Sequence, residues 1–293
     1  MLDMWTEEEL KPGPLSNGTV SLYLSTVDRI KKHPIGSRKL KTVTYEHLQE
    51  YMDLLSFGGQ KPDGTTAKPL AVNSIRAYSA VLKNAFRFAV RRHKDDDYEL
   101  FSGGEQDDSQ IEYPTITYDQ YVVMSEILTA KKNPALLPIQ IAYYTGLRIG
   151  EACGLTWQDI NLKDQCLTVR RSMRYNSVRK KHEVGPTKRR KIRTVDFCDT
   201  LADILKKAKR EQMLNSMQYG ILYKQNYYKV VQEKSRTYYE VYTFQRDAEI
   251  PEGYTSIPFV CLRLDGAYES AATVSIMCRA MKKKIEGMGG FHF

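Results

Sequence analysis

The stretch YYTGLRIGEACGLTW, Tyr143 to Trp157, constrains this chain most: two apolar segments of helical character meet at Thr145-Gly146, and one arginine, Arg148, stands directly behind the break. Burying a guanidinium is costly unless an anion meets it. Position 148 therefore asks for a partner, and two are open. One is a carboxylate of the chain itself, Glu151, a single helical turn away; the other is an anionic ligand.

The charge distribution bears on that choice. The 293 residues carry a formal charge of +9, and the segment from Lys163 to Arg193 holds twelve basic residues against two acidic ones, more than the excess of the whole chain. Such a concentration points to an anionic partner. With 42% hydrophobic residues and a length of about two domains, the chain is globular rather than disordered. Its five cysteines are scattered without a C-x-x-C pair, which suggests neither a disulfide framework nor a metal site. They read as small core hydrophobes in a reducing cytosol. No apolar run approaches the ~20 residues of a membrane span, and MLDMWTEEEL lacks the apolar centre of a signal peptide. A cytoplasmic protein with no membrane partner is expected.

The organisation reads as mainly α with a small antiparallel β-sheet. Residues 1–100 form a helical domain: Leu15 to Ile30, Thr44 to Leu55 and Asn73 to His93 have apolar residues at steps of three and four. In the last of these, Ile75, Tyr78, Leu82, Phe86 and Ala89 make the inward stripe, and Arg76, Lys83, Arg87, Arg91 and Arg92 the basic flank. Residues 101–115, acidic and glycine-containing, read as a linker. The second domain, 116–293, opens with a capping box at Thr117 and Gln120. QCLTVRR and KIRTVDF have the alternation of paired strands, so a hairpin with a long basic tip is expected between them. A helix follows from Thr200 to about Asn215, then tyrosine-rich segments, and a last helix from Ala271 to about Glu286.

An arginine at a helix start followed by a lysine on a β-turn is a sensible way to hold one phosphodiester. The arginine fork meets nonbridging oxygens, and a flexible lysine can donate a proton to the leaving oxygen. TGLRIGEACGLTWQDI followed by GPTKRRKIRTV resembles the tyrosine recombinase, or phage integrase, family, most closely integrases of conjugative transposons. The resemblance implies a SAM-like helical core-binding domain over residues 1–100 and the front part of the α+β catalytic domain over 116–293. It implies strand exchange on duplex DNA bearing inverted repeats, through a 3′-phosphotyrosyl intermediate, without metal, cofactor or external energy. The full-length protein would work as a tetramer on DNA, in the bacterial cytosol at the nucleoid. Arg148 matches the first catalytic arginine and Lys188 the hairpin lysine, with Arg189 as the competing assignment. Glu151 matches the acid that supports the arginine.

The resemblance also locates a departure. The family continues past a segment like GGFHF into His-x-x-Arg and a late nucleophilic tyrosine, whereas this sequence stops at Phe293, and none of its twenty tyrosines has the nucleophile's context. The chain as given is expected to bind DNA without cutting it. The alternative is a truncated relative that occupies recombination sites or pairs with a full-length integrase; an RNA-binding basic protein is the third class. The bland readings stand beside these. Arg148 could merely pair with Glu151, and Lys188 could be solvated. Arg170, Arg171, Arg174, Arg189, Arg190, Lys191 and Arg193 are read as backbone-phosphate contacts. Arg76, Lys83 and Arg87 could line DNA or simply face water. The tyrosines from Tyr219 to Tyr242 could stack on bases, but the favoured reading is that they pack a β-rich insert.

Overall fold

The computed structural model describes residues 1–60, 64–93, 115–187, 190–233 and 236–288. The chain divides into two compact units, Met1–Gln110 with Lys234–Arg236, and Ile111–Glu233 with Thr237–Phe293. Up to residue 114, the linker expected at 101–115 lies outside the described residues.

The first unit is helical: α1 (Leu2–Trp5), continued by a wider turn over Thr6–Leu10, then α2 (Asn17–Lys32), α3 (Pro34–Ser37), α4 (Tyr45–Phe57) and α5 (Val72–His93). Two-residue strands β1 (Gly59–Gln60) and β2 (Thr66–Ala67) pair between α4 and α5. Local chemistry sets the helix starts. The Ser16 hydroxyl accepts from the Thr19 N–H at 3.2 Å, and Thr44 and His47 form a capping box. All five residues of the α5 stripe are buried, and Ile75, Tyr78, Leu82 and Phe86 share a core with Trp5, Val27, Ile30 and Met52. The ordered N-terminal turn was not expected from sequence; Glu8 and Glu9 pin it to α5 through Arg92 and Arg91.

The second unit begins with α6 (Tyr118–Ala130), and its capping box is present as expected, with Gln120 N–H on Thr117 Oγ1 at 3.3 Å and Thr117 N–H on Gln120 Oε1 at 3.1 Å. Helix α7 (Leu136–Thr145) ends where Gly146 turns left-handed at φ 66°. The next helix, α8 (Ile149–Cys153), is only five residues long, and Arg148 is its N-cap. Then come β3 (Ile160–Asn161), β4 (Cys166–Val169), β5 (Arg171–Asn176), β6 (Lys181–Pro186), β7 (Arg193–Asp196), α9 (Asp199–Tyr219), β8 (Lys224–Glu233), β9 (Arg236–Gln245), β10 (Tyr254–Ser256) and α10 (Ala271–Lys282). One sheet has the order β3-β4-β7 and a second the order β10-β8-β9-β6-β5. Cys153, Cys261 and Cys278 are core residues as expected, whereas Cys198, at the N-cap of α9, is exposed.

The expected hairpin needs correcting. Its ends pair as read, Leu167 opposite Val195 and Val169 opposite Arg193, but the stretch between is not one basic tip. Arg171 to Asn176 pair with Lys181 to Pro186 across a tight turn at 177–180, in which Asn176 Oδ1 accepts from the Val178 and Arg179 N–H groups. Since Arg171 faces Pro186 and Val169 faces Arg193, the return strand carries an insertion between Pro186 and Arg193 opposite the single residue Arg170. The polar alternation of RSMRYN and KHEVGP hid this inner pair.

Candidate active site

Two glycines position Arg148. Helix α8 lies against β5 so closely that a Cβ on Gly150 would stand 2.7 Å from the Met173 carbonyl oxygen, and one on Gly154 would stand 3.2 Å from that of Arg171. The spacing of four in GEACG thus puts both bare backbones on the side facing the strand. Arg148 sits at the start of this flush contact, on the turn that Gly146 makes possible.

The question of its partner has a definite answer. The Arg148 side chain is 69% exposed, and its Nη1 is 3.5 Å from Glu151 Oε1. Glu151 is buried, at 2%, and its carboxylate is taken mainly by another arginine: Arg193 donates from Nη2 to Oε2 at 2.6 Å and from Nη1 to Oε1 at 3.2 Å. The Arg148 backbone N–H adds a third bond, to Oε2 at 3.1 Å. Burial alone would raise the Glu151 carboxyl, but the bonds from Arg193 and the Arg148 N–H, with the charges of both arginines, hold it below the ordinary value of 4.5. Glu151 therefore fixes the backbone of Arg148 and leaves most of its guanidinium facing solvent. The premise that position 148 is buried is corrected; the guanidinium is exposed.

Arg193 opens β7 immediately after the inserted loop, so one carboxylate joins the helix start to the end of the basic segment. Within that loop the Thr187 hydroxyl donates to the Lys191 carbonyl at 2.5 Å and the Arg190 N–H to the Thr187 carbonyl at 2.9 Å, with Arg190 in the left-handed region at φ 55°. Lys188 and its competitor Arg189 lie outside the described residues. Arg190 and Lys191 are exposed.

Other arginines of the segment are already engaged, which changes their reading as free phosphate contacts. Arg170 and Arg171 converge on buried Asp159, at 3.2 and 2.6 Å. Arg174 meets buried Glu183 at 3.4 Å, and Arg179 bridges Glu240 and Glu233. In the first unit Arg76 and Arg87 are exposed and Lys83 is half-buried, while Arg91 of the same flank is paired with Glu9 at 2.6 Å. The Arg193–Glu151 clamp escaped the sequence reading because 42 residues separate its ends; nothing local marks it. Among the described residues no three His, Cys, Asp or Glu side chains are grouped as metal ligands, and no helix is long and apolar enough to cross a membrane.

Residues 115–249 match the phage integrase family. A XerC-like tyrosine recombinase of Caldanaerobacter subterraneus subsp. tengcongensis is 24% identical over 212 residues, 66% of this chain; the chain spans 50% of that relative's length. The Tn1549 transposon integrase, solved with transposon right end DNA, superposes with a TM-score of 0.66 at 16% identity, over 97% of this chain and 77% of that one. A lambda integrase tetramer bound to a Holliday junction gives 0.56 at 17% identity, over 100% of this chain and 63% of that one. The structural likenesses are likenesses of fold. The segment that carries the arginine turn and the basic insertion, residues 115–249, is thus similar to the phage integrase family, and the relative it resembles is a tyrosine recombinase.

Proposed function

We propose that this chain is the DNA-binding, phosphate-holding part of a site-specific recombinase of a mobile element. Arg148 binds the nonbridging oxygens of the scissile phosphate and stabilises the charge that grows on them as the phosphorus becomes five-coordinate. Lys188, or Arg189 if the register shifts by one, donates the proton to the departing 5′ oxygen. Arg190, Lys191, Lys163 and Lys180, exposed and without an acidic partner among the described residues, hold flanking phosphates. Arg76, Lys83 and Arg87 meet the duplex from the helical unit, and copies of the chain assemble on inverted repeats. The observation that carries this reading is the exposed Arg148 guanidinium, fixed at its backbone by a carboxylate that Arg193 already neutralises.

Fluorescence anisotropy with labelled DNA tests it. A duplex with inverted repeats outcompetes structured RNA, and if about five phosphates are neutralised, log affinity falls against log salt with a slope of about −4 to −5. Arg148→Ala lowers duplex affinity modestly, and in a chain extended through the family's tyrosine it abolishes cleavage of a nicked substrate. Equal binding of RNA and duplex, or full cleavage by Arg148→Ala, removes the reading.

A further inference from the structure

The tyrosines of the second unit divide between two faces of the five-stranded sheet. Side chains alternate along a strand, and the registers are Tyr254 opposite Lys229, Ser256 opposite Tyr227, Glu183 opposite Glu240 and Asn176 opposite Lys181. One face carries Met173, Val184, Tyr228 and Val241 into the core shared with α10. The other face carries Tyr227, Tyr242, Phe244 and Tyr254, all half-buried. These four rings form an unbroken chain over β8, β9 and β10. Tyr227 meets Phe244 at 5.7 Å, Phe244 meets Tyr254 at 5.2 Å, and Tyr254 meets Tyr242 at 5.2 Å, each pair edge-to-face. Two cations lie over them: Lys181 Nζ is 4.7 Å from the Tyr242 centroid and Lys229 Nζ 5.3 Å from that of Tyr254.

The acids of this face are already answered. Glu183 is buried and accepts from Asn176 and Arg174, and Glu240 is buried and accepts from Arg179 and Tyr242. Exposed Glu233 pairs with Arg179. Lys181 and Lys229 therefore leave the aromatic row net cationic. Ring faces beside lysines suit a ligand that offers flat π surfaces and a string of negative charges together. A duplex keeps its base faces stacked inside and cannot supply the first.

We propose that this sheet face binds an unpaired DNA strand, bases stacking on Tyr254, Tyr242 and Phe244 and phosphates drawing Lys229 and Lys181 off the rings. The proposal rests on the sheet alone and is separable from the duplex site at Arg148. The test is anisotropy of labelled 20-nucleotide oligothymidine, an abasic strand of the same length, a hairpin duplex, and an oligouridine competitor. The chain binds oligothymidine at least about tenfold more tightly than the abasic strand. Tyr254→Ser and Lys229→Gln each weaken oligothymidine binding, about tenfold for the lost ring, and leave duplex binding within about twofold. Tyr254→Phe keeps the ring and keeps the binding, and melting curves of all three variants match the parent. Arg148→Ala gives the opposite pattern, duplex weakened and single strand unchanged. Equal binding of abasic strand and oligothymidine, parallel loss on duplex and single strand, preference for oligouridine, or capture by anionic lipid vesicles in place of DNA overturns it. Should Tyr254→Ser fail to fold, Lys229→Gln on the surface of the same row decides.

Discussion

Ion pairs in the two units are built differently. In the first, Lys31 with Asp3, Arg91 with Glu9 and Arg92 with Glu8 join side chains that are all substantially exposed. The second also has exposed pairs, such as Lys206 with Asp203 on α9, but there the acids Glu151, Asp159, Glu183 and Glu240 are nearly inaccessible and the arginines reach in from the surface. Exposed pairs contribute little and fade with salt. A buried carboxylate, once formed, makes its arginine indispensable, because removing the cation strands a charge. Equal charge therefore means unequal things: cations in the second unit are sorted into structural ones, held from below, and available ones such as Arg148.

The sharpest way to break this contrast is Arg193→Met. It strands Glu151, costs about 2–4 kcal/mol in urea unfolding, and draws Arg148 inward, so that duplex affinity falls with stability. The double variant Arg193→Met with Glu151→Leu regains most of the stability but not the affinity. An Arg193→Met chain as stable as its parent dissolves the distinction. Gly150→Ala comes next. Its methyl would stand 2.7 Å from a backbone oxygen of β5 and 2.8 Å from Ser172 Oγ, so α8 has to move, at about 1–3 kcal/mol; a crystal structure with α8 unmoved speaks against it.

The pH dependence is smaller. The Glu151 carboxyl titrates lower in the folded protein, so its contribution is complete above the ordinary value of 4.5 and is lost as pH falls through the depressed folded value. Denaturation from pH 6 downward should show a slope that Glu151→Gln reduces; an unchanged slope counts against the clamp. Arg91→Gln is expected to be smallest, under about 0.5 kcal/mol. A larger loss would mean that the surface pairs of the first unit do structural service after all.

What the sequence made legible follows from range. The α5 stripe, the Thr117 capping box and the Arg148 to Glu151 spacing are local relations, and each can be read from a window of a few residues. The outer strand pair β4 and β7 was readable from β-branched alternation, but β5 and β6 carry polar residues on both faces, because their outer face is an arginine and carboxylate network. Periodicity has only Met173 and Val184 to register there. The clamp on Glu151 and the convergence of Arg170 and Arg171 on Asp159 depend on tertiary approach, so a tally of basic residues counted as available charge what the fold had already committed. The aromatic row across β8, β9 and β10 was similarly ambiguous, since only sheet register decides which tyrosines face inward.

The flush seating of α8 on β5 has a mechanical implication. With bare glycine backbone facing β5 at Gly150 and Gly154, the five-residue helix has only a thin layer beneath it. A shift of the β5 and β6 ribbon then has little to absorb it before Arg148, so that whatever grips that ribbon would also aim the guanidinium.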